Sequence, residues 1–140
     1  MELKAKPLIA GAAAGEVLRL VRPLSFWGGV DPATGRIIDR GSDAAGASIA
    51  GRVLVLAETR GSSSSSAVML ELIYKELAPA ALIVAEPDAI LILGALVAGE
   101  MNWPTIPVLA LSVSDQERLD TGAPIEILAD GTIRRRLASS

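Results

Sequence analysis

Three short apolar runs set the terms on which this chain can fold. Residues 52–57, 80–85 and 106–111 carry Val, Leu, Ile and Ala on successive positions, rather than every second one. Runs of this length, rich in branched residues and bounded by Gly51 or by prolines, read as buried strands. Between the first two lies a segment, residues 67–77, with apolar positions at 69, 70, 72, 73 and 77. Its Glu71 and Lys75 stand four apart on the opposite face, where they can pair, so the pattern predicts a helix. Between the second and third runs, residues 89–98 are apolar on nearly every face; Asp88 offers an N-cap, and the expectation is a buried helix. Strand and helix thus alternate through the middle of the chain. Aromatic residues make up only 3% of the sequence, so the core is to be packed from aliphatic side chains. With 140 residues, the expectation is one domain, 1–140, with a core of ordinary size.

Both ends of the chain read as strands. Residues 3–10 are interrupted by Pro7 and supply a short strand, and 11–15 read as a turn, or as a short bend where small residues let backbones approach. Residues 16–21 predict a strand closed by Pro23, and 36–39 a strand returning from the turn Asp31-Pro32-Ala33-Thr34-Gly35. Residues 41–51 are small and polar, as a surface loop is. Ser114 and Glu117 have the spacing of a capping box at the start of a short helix. Residues 124–128 and 132–136 flank Ala129-Asp130-Gly131 and predict a hairpin. The layout is a β/α domain with apolar central strands and antiparallel segments at both ends.

What is missing narrows the chemistry. The chain has no cysteine and no histidine. It therefore has no thiolate, no Cys-ligated iron–sulfur cluster, no Ser-His-Asp triad and none of the commonest metal ligands. A net charge of −3 and four aromatics give no footprint for nucleic acid, and the three arginines 134–136 read as exposed strand charge. The N-terminus lacks the order of a secretory signal, and the longest apolar run is too short to span a bilayer, so a cytoplasmic location is expected.

Attention then falls on Thr59-Arg60-Gly61-Ser62-Ser63-Ser64-Ser65-Ser66, between the first strand and the first helix. A phosphate-binding loop would need a G-K-[ST] ending and a lysine, a dinucleotide loop three glycines, and a hydrolase elbow a glycine two residues after its serine. None is present. Four readings remain for the run: a flexible linker, an anion-binding loop, a set of helix caps, or a catalytic hydroxyl. In the last, helix-end amides and the Arg60 cation would stabilise an alkoxide able to abstract a proton. Phe26-Trp27-Gly28-Gly29 holds two of the four aromatics beside paired glycines. It reads as core packing plus a turn, or as a contact surface for a partner or substrate.

Leu24-Ser25-Phe26-Trp27-Gly28-Gly29-Val30-Asp31-Pro32, with Thr34-Gly35 and Ile37-Ile38-Asp39, resembles the small, swivelling domain of the aconitase X family. Arg60-Gly61-Ser62 with Val68-Met69-Leu70-Glu71, residues 78–83 and residues 93–98 extend the resemblance across about 15–111. It implies a swivelling β/β/α fold, an α/β class with a barrel-like β core and flanking helices. It also implies a hydro-lyase subunit that works with a large catalytic subunit, which would carry an iron or iron–sulfur centre; no cofactor would be bound by this chain. Ser62 takes the family's proton-acceptor position, with Arg60, Gly61, Ser63, Ser64, Ser66 and Phe26, Trp27, Gly28, Gly29 around the substrate. Relatives keep glycines where Ser65 and Ala67 stand. The substrates implied are cis-3-hydroxy-L-proline or, as the alternative, phosphomevalonate. A binding or scaffold domain without chemistry is the reading of another class.

Overall fold

The central strands form where the apolar runs place them, and their two faces enter two different cores. The computed structural model describes residues 2–60 and 63–136. In chain order these hold β1 (Glu2–Lys4), β2 (Lys6–Ile9), β3 (Ala13–Arg19), α1 (Phe26–Gly29), β4 (Val53–Glu58) and α2 (Ser65–Tyr74). Then follow β5 (Ala81–Glu86), α3 (Ala89–Glu100), β6 (Val108–Ala110), α4 (Val113–Gln116), β7 (Pro124–Ile127) and β8 (Thr132–Arg135). The strands join in the order β1-β8-β7-β3-β4-β5-β6-β2. The neighbours from β3 to β6 are parallel and the other pairs antiparallel.

Leu54, Leu56, Leu82 and Val84 face the helices, packing with Val68, Met69, Leu72, Ile73, Leu91 and Ala95. The alternate residues Val53, Val55, Ala81 and Ile83 pack instead with Leu3, Val17, Ile125, Ile127 and Ile133 from the other strands. A strand buried on both faces has no polar side to show, which is why the runs do not alternate. The arrangement is helix layer, parallel strands, then antiparallel strands: the expected β/β/α order.

Two stretches of chain, β3 and the consecutive β1–β2, serve both halves of the sheet. Ala13–Glu16 of β3 pair with β7 and Val17–Arg19 with β4. β1 and β2 are successive stretches of one chain, joined by Ala5, yet they occupy the two ends of the strand order. Their sheet edges are thereby brought together. The expected barrel-like core is corrected here, because the sheet is not closed into a barrel. β1 pairs with β8 and β2 with β6, and being consecutive along the chain, the two do not form a ladder with each other. At the junction the Ala5 amide donates to the Gly131 carbonyl at 2.9 Å.

Other expectations need adjustment. Residues 13–15 are strand and not turn, because Gly15 lets the Gly51 carbonyl come within 2.7 Å of where a Cβ would sit. Residues 36–39 form isolated bridges, Val30 to Ile37 and Arg36 to Ser48, in place of a returning strand. Pro7 lies within β2, which is tolerated because β2 is an edge. The cap of α4 is Ser112, accepting from the Asp115 amide at 3.3 Å, and not Ser114. Asp88 caps α3 as expected. That helix is buried on one side only: Ile90, Leu93 and Leu96 are 38%, 53% and 49% exposed. The Asp31 turn, the Glu71–Lys75 pair at 2.8 Å and the β7–β8 hairpin form as read. Among the described residues, no helix is long and apolar enough to cross a membrane.

The junction at Ala5 can be tested. Gly131 has φ 93°, and a Cβ there would fall on the Ala5 carbonyl oxygen. Gly46 has a similar φ of 89° with open space around it. In urea denaturation, Gly131→Ala should lose more than about 2 kcal/mol and Gly46→Ala only about 1 kcal/mol. Equal losses would remove the junction from the account.

Candidate active site

Parallel strands deliver their C-terminal ends to one edge of a sheet, and ligand sites in α/β sheets gather at that edge. Here the edge receives the segments that follow β3, β4, β5 and β6, namely residues 20–29, 59–60 and 63–64, 87–88 and 111–116. Thr59 and Arg60 leave β4 under restraint from both sides. Thr59 bridges Leu24 in parallel fashion, and the Arg60 amide donates to the Leu24 carbonyl at 2.9 Å. On the other side the Thr59 hydroxyl donates to Asp88 Oδ2 at 3.0 Å. The second oxygen of that carboxylate, Oδ1, accepts from the Ile90 and Leu91 amides at 3.0 and 3.3 Å. One side chain therefore caps α3 and holds the root of the serine-bearing segment.

Gly61 and Ser62, the expected catalytic residue, lie outside the described residues. The segment is described again from Ser63, which is exposed, and Ser64, at the N-cap position of α2. Helix α2 begins at Ser65, two residues before the expected start, so Ser65 and Ser66 belong to it. It ends at Tyr74, earlier than expected, where Glu76 takes a left-handed φ of 59° and the Leu77 amide turns back to the Leu72 carbonyl. The reading of the serines as caps fails for two of them. The Ser66 hydroxyl turns back to the Ser63 carbonyl at 3.3 Å. The Ser65 hydroxyl is buried and has no hydrogen-bond partner among the described residues. Linker behaviour is also excluded for the described flanks, which are fixed on both sides. The Arg60 side chain is exposed and makes no ion pair among the described residues.

The Phe26–Gly29 turn stands beside this segment through Leu24. Phe26 is fully buried and fastens the turn to the core, while Trp27 is 58% exposed. The core-packing reading of the motif holds for Phe26, while Trp27 is left exposed. Gly28 has φ 80°, and the Gly29 carbonyl accepts from the Ile38 and Asp39 amides. Behind them, Asp43 accepts from the Val21 and Arg22 amides at 2.9 and 3.2 Å. Burial pulls the Asp43 pKa up, but these amides and the Arg22 cation outweigh it and the carboxyl lies below its ordinary value. The sheet edge thus assembles Arg60, Ser63, Ser64 and Ser66 with Phe26, Trp27, Gly28 and Gly29.

The described residues offer no cluster that fits a metal centre. The chain has no cysteine or histidine, and among the described residues no three acidic groups cluster to hold an ion. Sequence reasoning missed two positions. Nothing local pairs Thr59 with Asp88, 29 residues away. Gly94, inside α3, had a signal: a glycine within a helix costs about 1 kcal/mol relative to alanine and so flags a close approach.

The comparisons name the family. The profile of the aconitase X swivel domain matches residues 2–135, and the chain belongs to that family. It is 45% identical over 130 residues to cis-3-hydroxy-L-proline dehydratase of Pseudomonas aeruginosa, covering 91% of this chain and 22% of that enzyme. It is 39% identical over 132 residues to the phosphomevalonate dehydratase small subunit of Thermococcus kodakarensis, covering 94% and 99%. In structure it matches Thermococcus kodakaraensis aconitase X in its holo-form, with TM-score 0.86, 36% identity and coverage of 98% and 99%. The Pseudomonas relative is a dehydratase and the archaeal one a dehydratase small subunit, both of the hydro-lyase class. The chain spans about a fifth of the Pseudomonas enzyme and nearly all of the archaeal small subunit.

An unpaired buried hydroxyl carries a desolvation penalty of about 1–3 kcal/mol. Ser65→Ala should therefore stabilise the chain by about 1 kcal/mol in urea denaturation. A loss of stability would mean that the hydroxyl has a use in the folded chain.

Proposed function

We propose that this chain is the small subunit of an aconitase X type dehydratase and that Ser62 removes a proton from the carbon next to the substrate carboxylate. The observation that carries the reading is the placement of the serine run's two flanks at the C-terminal edge of the parallel strands, between a pinned Thr59-Arg60 and the start of α2. Helix-end amides and a cation such as Arg60, which makes no ion pair among the described residues, are the groups that favour an alkoxide. Within this chain no histidine or cysteine competes for the role of base.

In the proposed step the Ser62 alkoxide takes the α proton. The C–H electron pair becomes the new C=C bond, and the hydroxyl on the adjacent carbon departs with its own pair, to leave as water once protonated. An iron or iron–sulfur centre is assigned to the large subunit, and no step through this chain's residues depends on it. The favoured substrate is cis-3-hydroxy-L-proline. Higher identity to the dehydratase of that compound supports it, as does the absence of lysine from the segments at this sheet edge. Phosphomevalonate is the second reading, favoured by the nearly complete coverage of an archaeal small subunit.

With the large subunit co-expressed, Ser62→Ala should lower turnover by about 10²–10⁴-fold while size-exclusion shows the assembly intact. Near-normal turnover would sink the role, and turnover by the small chain alone would sink the two-subunit scheme. Trp27→Ala should leave the unfolding free energy of the chain within about 0.5 kcal/mol of its parent, as at an exposed site. It should weaken substrate KM or subunit affinity by about tenfold, as the loss of an aromatic contact does. No change in either removes Trp27 from the site.

A further inference from the structure

A small open cavity lies at the same sheet edge, between the ends of β3 and β4 and the short helix α4. Leu20 and Val21, just past β3, Ala57 of β4, and Val113 and Gln116 of α4 line a space of about 100 Å³. Gln116 is 3% exposed, and its Nε2 donates to the Leu56 and Leu111 carbonyls, each at 3.0 Å. Two carbonyl partners fix the orientation of that amide, since an oxygen in the same place could not donate. Oε1 is therefore the spare end, an acceptor with no hydrogen bond among the described residues. Arg19 and Glu117 line the same space, and neither makes an ion pair among the described residues. At the mouth, Val21 is 80% exposed and Val113 49%. Val21 is held there: Asp43 accepts from its amide and from that of Arg22 at 2.9 and 3.2 Å. The fold of one chain gains nothing by fixing a valine in water, and an apolar rim around a cavity with one spare acceptor marks a place of contact.

We propose that this cavity is the anchor point for the large subunit. Its occupant is one aliphatic side chain of that subunit, with an N–H or O–H beside it that donates to Gln116 Oε1. The matched region is 22% of the Pseudomonas relative, so there the domain shares its chain with a much larger remainder, and the archaeal relative of matching length is a small subunit. A partner that completes the candidate site must come to the sheet edge where the cavity opens. Residues 20–29 carry both the rim of the cavity and the turn that displays Trp27, so one segment joins the two exposed apolar positions. Arg19 and Glu117 supply one charge of each sign beside the apolar mouth, the polar surround that an interface anchor has. One side chain buries far less than the roughly 800 Å² per partner of a stable interface, so the cavity is the centre of a wider contact. The proposal rests on the two-subunit reading and not on the role of Ser62.

The chain has no cysteine, so a single one placed in it reports on its own surroundings. Val21→Cys in the small chain should react quickly with a maleimide, and at least about tenfold more slowly once the large subunit is bound. Leu93→Cys, at a position 53% exposed on α3, should keep its rate within about twofold. Subunit affinity, read by titration calorimetry, should fall about tenfold or more in Val21→Ser, which removes an apolar rim residue, and in Ala57→Leu, which fills the cavity from within. Unchanged urea midpoints of the small-chain variants would show that docking and not folding is altered. If Ala57→Leu does not fold, Val21→Ser and the labelling rates decide by themselves. The proposal is overturned if Val21→Ser binds within about twofold of its parent, if Val21→Cys is not protected, or if Leu93→Cys is protected in its place. Protection of Val21→Cys that grows with the concentration of the small chain alone would make a second copy the occupant, and overturns it too. A parent chain that binds no large subunit would end the two-subunit reading and the anchor with it, a result distinct from a complex that forms with Val21 uncovered.

Discussion

Burial of the central parallel strands on both faces is the constraint from which the rest follows. β4 and β5 put Leu54, Leu56, Leu82 and Val84 under the helices and Val53, Val55, Ala81 and Ile83 against the antiparallel strands. Neither face can meet water, so the chain needs a cover on each. Helices α2 and α3 supply one cover. The other comes from the sheet itself: β3 passes from one half to the other, and the β1–β2 stretch does the same at the far edges. Because Ala5 alone separates β1 from β2, a backbone contact at Gly131 carries more weight than its size suggests.

The same constraint builds the site. Parallel strands cannot be joined by tight hairpins, so every crossover leaves from the same edge and places its first residues there. The segments after β3, β4 and β5 are therefore neighbours for reasons of topology, before any side chain is chosen. What the side chains add is restraint: Phe26 anchors one segment in the core, Leu24 holds Thr59 and Arg60 through backbone, and Asp88 ties the third segment to the second. Trp27 and Arg60 are left facing out from this frame.

How far the sequence could be read depended on whether a feature was local. The apolar runs, the Asp31 turn, the Asp88 cap and the Ala129-Asp130-Gly131 hairpin were legible, since each is decided by residues close in the chain. Ala13–Gly15 were misread as a turn because small residues mark both bends and close strand packing, and only the distant Gly51 distinguishes them. Ser112 displaced Ser114 as the α4 cap by a shift of two residues between similar candidates. Helix α3 was read as wholly buried from its composition, yet burial depends on what lies opposite each face. The candidate segment was visible as an unusual serine run between strand and helix. Its restraint was not, because Thr59 meets Asp88 and Gly94 meets Ser66 only after β4 and β5 have paired.

Magnitudes explain why such restraint would matter for a serine base. A helix N-terminus favours a nearby negative charge by about 0.3–1 kcal/mol, and by about 2 kcal/mol at best. Since one pKa unit is about 1.4 kcal/mol, the dipole lowers a hydroxyl by little more than one unit. That is far short of what an alcohol needs near neutral pH, and this chain has no histidine to make up the difference. The remaining stabilisation in the proposed reaction must come from Arg60, from the substrate and from the partner subunit, acting together in a site from which water is excluded. Each of these contributions falls off with distance and angle, so their sum is useful only if the hydroxyl is held in one place. A base this weak gains more from a rigid frame than a histidine would, and the described part of that frame is the Thr59–Asp88 contact on the entry side of the serine run.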